Sequence, residues 1–227
     1  MRVKDKLDKL VHLTMKELKH SEFGEYIDFV KISCKNDIFG DSSYFNFGRE
    51  VINLNPLVDN MHLMEKLKVF ESPLYIFLHE LGHAVDYDQD PEDFMDIRET
   101  DNLRHAATYF AIIQKDNYLA QGVYKMSPLE KRADILAEKM MKYLAGTKMF
   151  EEIKKLNDDA SIGIIQEILN KTSVEEDYEL VDCLNYKNFE NNKDVYNIIK
   201  DNQTDWEYKT HAAFFRRGTE VELEIID

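Results

Sequence analysis

Three side chains capable of metal chemistry stand together in the segment His79-Glu80-Leu81-Gly82-His83. On an α-helix of 3.6 residues per turn the two histidines, four apart, project from one face, so both imidazoles can reach a single ion from one rigid rod. Glu80 sits beside the first of them, where a carboxylate can take a proton from water without being a ligand itself. Gly82 leaves space against the helix. An HExxH pattern also arises by chance on helices with surface histidines, so its surroundings decide its meaning. Here the other side of the segment is apolar, with Leu74, Phe77, Leu78, Leu81, Ala84 and Val85 recurring at helical intervals.

Hydrolytic zinc sites use three protein ligands and keep a fourth position open, so two histidines require one more donor. A ligand six residues beyond the second histidine, preceded by glycine at the midpoint, is disfavoured because those positions hold Gln89 and Asp86. A glutamate on a later helix is available in Ser127-Pro128-Leu129-Glu130-Lys131-Arg132-Ala133-Asp134. Glu130 and Asp134 share a helix face: Glu130 is placed to ligate, and Asp134 to accept a hydrogen bond from the outer N–H of a ligand histidine. Ala133 and Ala137 are small enough for close packing of two helices. The rival role for Glu130 is a capping box with Ser127, in which its carboxylate would bond the backbone of the cap residue. One carboxylate is not expected to fill both roles.

Together these segments resemble the gluzincin metallopeptidases, in which HExxH is followed by a helix bearing Glu-x-x-x-Asp. Glu130-x-x-Ala133-Asp134-x-x-Ala137 is similar to the ImmA/IrrE-type peptidases of phages and mobile elements and to the HtpX/Ste24-type peptidases, over about residues 44 to 145. The resemblance implies an α+β fold: a mostly helical zincin-like domain with a small antiparallel sheet beside the HExxH helix. It also implies Zn2+ as cofactor, a protein or peptide substrate, and a strand such as 51–55 lying along the cleft to receive extended substrate. The link from His83 to Glu130 departs from the pattern in being longer than in compact members. Thr210-His211, with Arg217 beyond, resembles the Ser-Thr-His-Pro segment followed by arginine in HtpX-type peptidases, although Ala212 replaces the proline. That match implies His211 as an oxyanion stabiliser and Arg217 as a group orienting oxyanion or substrate. Tyr124 or His105 could instead be the polar donor, and His211 could be an ordinary surface histidine. A metallopeptidase-like protein that binds a regulatory partner without cutting it is the alternative function.

The elements that must hold these residues follow from periodicity and turn chemistry. Residues 3–20 place Val3, Leu7, Leu10, Val11, Met15 and Leu18 at helical spacing, residues 26–33 alternate like a strand, and 44–47 with 51–55 read as a hairpin about Gly48-Arg49. Ser72-Pro73 marks a helix start that carries HExxH, and Ser127-Pro128 marks another carrying Glu130. Further helices are expected over 101–114, 162–169 and 195–199, with a β-like run at 221–226. We expect a metallopeptidase domain over 1–147 and a helical extension over 148–227 that ends in the β segment and packs on the same domain.

Composition sets outer bounds. With 227 residues, 44% hydrophobic and 32% charged, the chain can bury a continuous core without staples. A net charge of −15 disfavours nucleic acid and anionic lipid. The acidic run from Asp86 to Asp101 reads as a solvated loop that could also form an acidic rim to a cleft. Cys34 and Cys183 are too few and too distant for a disulfide framework or a thiolate metal site. No apolar run reaches the ~20 residues of a membrane span, and no leader of signal-peptide type is evident, so a cytoplasmic location is expected.

Overall fold

The computed structural model describes residues 2–95, 103–104, 106–108, 110–111, 115, 117–174 and 177–181. These fall in two compact units, one within Met1–Met95 and Lys131–Leu184, the other within Asp96–Glu130. The architecture is α+β, mostly helical, with a three-stranded and a two-stranded sheet.

Helix α1 (Val3–Leu18) buries Val3, Leu7, Leu10, Val11, Thr14 and Leu18, a stripe at the spacing that predicts it. The expected strand over 26–33 is corrected by the structure: α2 (Gly24–Ile27) precedes β1 (Lys31–Cys34). Phe23 and Ile27 are both buried, and their four-residue separation suits one side of a helical turn. Gly24 makes that turn possible, because a Cβ there would lie 2.5 Å from the carbonyl oxygen of Lys19.

The hairpin forms as expected, with β2 (Tyr44–Asn46) antiparallel to β3 (Val51–Leu54). β1 pairs with the other side of β3 in parallel register, Lys31 opposite Val51 and Cys34 opposite Leu54, so the sheet is mixed rather than antiparallel. A polar clamp holds the connection between β1 and β2. Fully buried Asn55 donates from Nδ2 to the carbonyls of Asp37 and Asp41, both at 2.9 Å, and its backbone N–H donates to Ser43 Oγ at 2.8 Å. Asp59 in turn accepts from the Ser43 backbone at 2.9 Å and from the Ser43 hydroxyl.

After β3, α3 (Pro56–Leu67) leads through Lys68, in the left-handed region at φ 58°, to β4 (Val69–Glu71), which pairs in parallel with β5 (Glu179–Val181). Buried Asn60 ties α3 to β4 by donating to Glu71 O at 2.9 Å and accepting from Glu71 N at 2.6 Å. The chain then enters α4 (Pro73–Gln89), the central helix, which is buried almost all round. Ser72 caps it by accepting from Tyr75 N at 3.3 Å.

α5 (Pro91–Met95) follows, and within the second unit lie residues 103–104 and 106–108, which are helical, and α6 (Asn117–Lys125). Leu103, Ala106, Phe110, Ala120 and Val123 form that unit's own apolar cluster. Helix α7 (Pro128–Ala145) crosses the division between the units, leaving its first turn on one side and Lys131–Ala145 on the other. It buries Leu129, Ala133, Leu136, Ala137, Met140 and Leu144.

The expected helix over 162–169 is part of a longer one, α8 (Phe150–Lys171), which packs along α1 in the same core as α4. Asn157 of α8 is a second cap for α4, accepting from Leu74 N at 2.9 Å and from the Ser72 hydroxyl at 3.2 Å. The expected elements over 195–199 and 221–226, and Cys183, lie outside the described residues. No described helix is long and apolar enough to cross a membrane.

Candidate metal centre

Helix α4 presents His79 and His83 from one face, their ring centroids 4.7 Å apart and their planes nearly perpendicular at 83°. Both are buried, as is Glu80 between them in sequence. The third donor needs α7 to come close, and residue size governs how close. A Cβ added to Gly82 would lie 2.5 Å from the carbonyl oxygen and 3.0 Å from the Cα of Ala133, so the two backbones all but touch there. Any side chain at position 82 would force them apart.

An ion pair fixes the register of this contact. Arg132 Nε lies 2.9 Å from both carboxylate oxygens of Asp86, one turn beyond His83. Asp86 thus differs from its expected place in a solvated acidic loop: it is buried, α4 continues through Gln89, and the carboxylate is matched by a guanidinium from the facing helix. Asp134 adds the second link, its Oδ1 lying 2.7 Å from His79 Nδ1. An ionised carboxylate can only accept, so the Nδ1 of His79 carries the hydrogen and its Nε2 lone pair is left for a cation. The Tyr75 hydroxyl donates to the same oxygen at 3.4 Å, which helps to keep the acceptor in place.

Glu130 is buried in the first turn of α7. Its backbone and its side chain have different partners. Its N–H points to Ser127 Oγ at 3.5 Å, while its carboxylate accepts from the Tyr124 hydroxyl at 2.6 Å on Oε1 and lies 3.5 Å from Lys125 Nζ on Oε2. Burial first, and then the charge of Glu130, push the Tyr124 hydroxyl well above the usual phenol range, so it stays a donor at any physiological pH. The Arg104 guanidinium stands 5.8 Å from the centre of the Tyr124 ring.

His79, His83 and Glu130 each offer one ligand atom, and these atoms all lie within 4.8 Å of one another. Side-chain rotation of about 1 Å brings such a set to the ~3.4 Å edge of a tetrahedral site with bonds of ~2.1 Å. Two neutral nitrogens and one carboxylate, all shielded from water, form a donor set that suits a borderline divalent cation such as zinc. The geometry therefore fits a metal ion.

Compared with models of known families, with curated proteins and with solved structures, the chain matches none.

The implied substrate strand is corrected. Residues 51–54 form the central strand of their sheet, with β1 on one side and β2 on the other, so both backbone edges are taken and no extended peptide can be added there. The outer edges belong to β1 and β2. His105, His211 and Arg217 lie outside the described residues. Sequence reasoning missed Arg132, Tyr75 and Asn157, whose partners lie far away in the chain.

Proposed function

We propose that this chain is a zinc-dependent metallopeptidase that hydrolyses peptide bonds in a protein substrate. The observation that carries the reading is the convergence of His79, His83 and Glu130 at a buried point, with Glu80 next to His79 in the chain: three donors among the described residues, where a hydrolytic zinc ion takes three protein ligands and one water. Structural sites, in contrast, are usually closed by four ligands and favour cysteine, which this triad lacks. A bound zinc ion supplies Lewis acidity, making a coordinated water more acidic and a peptide carbonyl more electrophilic.

The chain's own residues supply the rest. Glu80 serves as the proton carrier, taking a proton from the attacking water and delivering it to the leaving amine. Asp134 holds the His79 ring in the tautomer that donates at Nδ1, and Tyr124 and Lys125 hold the Glu130 carboxylate. Arg132 and Asp86 keep α7 in register on α4.

The test separates binding from catalysis. Glu80→Gln is expected to retain one zinc per chain, by elemental analysis, and to lose cleavage of a broad peptide library by at least two orders of magnitude, the usual contribution of a positioned proton carrier (~10²–10⁴). His83→Ala is expected to lose the metal. Undiminished turnover in the glutamine variant, or full zinc in the alanine variant, refutes the assignment.

A further inference from the structure

The two-stranded sheet has one edge closed and one edge open, and its hydrogen bonds tell them apart. In the parallel register of β4 and β5, Phe70 stands opposite Leu180; Glu179 N–H donates to Lys68 O at 2.8 Å and Ser72 N–H to Val181 O at 3.2 Å. Glu179 and Val181 therefore turn their backbone groups toward β4, and Leu180 between them turns its N–H and C=O the other way. On the far side of β4, Asn60 takes the place of a neighbouring strand by bonding both the C=O and the N–H of Glu71. No described residue does the same for Leu180.

The side chains follow the same division. Opposite residues of a pair share a face, as do residues two apart in a strand, so Phe70, Leu180 and Tyr178 lie on one side of the ribbon. Phe70 is 1% exposed and meets the Tyr178 ring at 6.5 Å, whereas Leu180, one strand further out, is 66% exposed. An apolar side chain on the face that its neighbour turns into the core, with outward backbone groups unbonded, is the arrangement that a further strand completes. The ribbon stands at the N-terminal end of α4, where Ser72 precedes His79 by about 10 Å of helix, so this edge is separate from the metal centre.

Charge selects the occupant. Asp177 and Glu179 are exposed, and neither is in an ion pair with a described residue. Residues 172–186 carry five carboxylates and no lysine or arginine. A second copy of the chain would set this acidic strand against itself, at a net charge of −15 on each side, which like-charge repulsion opposes. A basic strand meets the opposite: lysine or arginine beside Glu179 makes a favourable cross-strand pair, and an apolar residue next to it covers Leu180.

We propose that the outer edge of β5 is a docking site for an extended segment of a partner protein in which basic and apolar residues alternate, held by main-chain hydrogen bonds at Leu180 and selected by Asp177 and Glu179. The site stands apart from the metallopeptidase reading, since no group of the metal centre takes part in it.

Binding is read by fluorescence anisotropy on the full-length Glu80→Gln chain, so that no peptide is cut, at about 0.15 M salt. The probes are a labelled peptide alternating arginine and valine, its glutamate-valine counterpart, and the arginine peptide N-methylated along its backbone. The arginine peptide is expected to bind more tightly than either of the others by roughly tenfold or more. Leu180→Pro, in the same background, should weaken it by a similar factor and leave the urea midpoint in place, because the N–H it removes is not used within the ribbon. Equal binding of the glutamate peptide or of the N-methylated one, or equal binding to a folded Leu180→Pro chain, overturns the site; the N-methylated probe decides the matter even if the proline variant does not fold. A dimer in sedimentation that Leu180→Pro dissociates also overturns it, by making a second copy the occupant.

Discussion

Gly82→Ala offers the sharpest test of how the metal centre is assembled. The new methyl would stand 2.5 Å from the carbonyl oxygen of Ala133 and 3.0 Å from its Cα, and both obstacles are backbone, so relief requires α7 to move away from α4 by roughly 0.5–1 Å. Overpacking of this size costs about 1–3 kcal/mol, while replacing a helical glycine by alanine returns up to ~1 kcal/mol, so the net loss of stability should be modest, at about 0–2 kcal/mol. The metal site has no such compensation. Glu130 and Asp134 flank Ala133 on the displaced helix, and disturbing either a ligand or its orienting partner costs about 10–100-fold in metal affinity. Zinc affinity measured by competition with a chromophoric chelator should fall by at least tenfold, while urea melts of the metal-free protein change little. Gly163→Ala is the control, because the methyl there meets the Val3 side chain, on helices that carry none of the three donors, and its zinc affinity should equal that of the wild type. A Gly82→Ala protein that binds zinc as tightly as the wild type would refute the claim that backbone contact at this residue sets the site.

Other perturbations probe separate groups. Asp134→Ala removes the acceptor 2.7 Å from His79 Nδ1 and is expected to weaken zinc binding by about 10–100-fold without unfolding the chain; unchanged affinity in the chelator assay would remove Asp134 from the site. Asp59 is expected to make stability fall with rising pH, because burial lifts its carboxyl from 3.8 to about 6 against the opposing hydrogen bonds from Ser43. A group held protonated in the fold stabilises fully below its unfolded pKa and loses that contribution as pH rises through the folded value, here about 3 kcal/mol between 3.8 and about 6. Asp59→Asn keeps an acceptor and a donor for Ser43 and should flatten that slope in urea melts of metal-free protein, whereas parallel curves for the two proteins would show that Asp59 does not titrate in this window.

What could be read in advance depended on whether the relevant contacts were local. Helix α4 was legible because Ser72-Pro73 announces its start and its apolar residues recur in step, and the pairing of Glu130 with Asp134 was legible because four residues on a helix is one side. The parallel partner of β3 was not, since hairpin signals report only neighbours in sequence and β1 reaches β3 across a connection fixed by Asn55. α3 was missed although Asn55-Pro56 carries the same start signal as Ser72-Pro73, and the side chain of Asn55 proves committed to the loop at Asp37 and Asp41 rather than to the helix. Helix α8 was seen only in its second half because its buried face includes Asn157 and Ala160, one recruited to cap α4 and the other small for packing, and neither carries an apolar signal strong enough to set a period. Gly82 was read as leaving room, and the room proved to be for a backbone. Residues beyond the described ones include His211 and Arg217, whose suggested roles stay with the resemblance that raised them.

The three donors are anchored unequally. His79 and His83 stand in the middle of a 17-residue rod with core on nearly every side, whereas Glu130 is the third residue of its helix, in the turn whose N–H groups lack partners within the helix and where fraying begins. Loosening that single turn withdraws the carboxylate and leaves both imidazoles where they were. Exchange of an ion held here should therefore open from the glutamate side, at a rate set by how firmly Ser127 and Tyr124 keep one short coil wound.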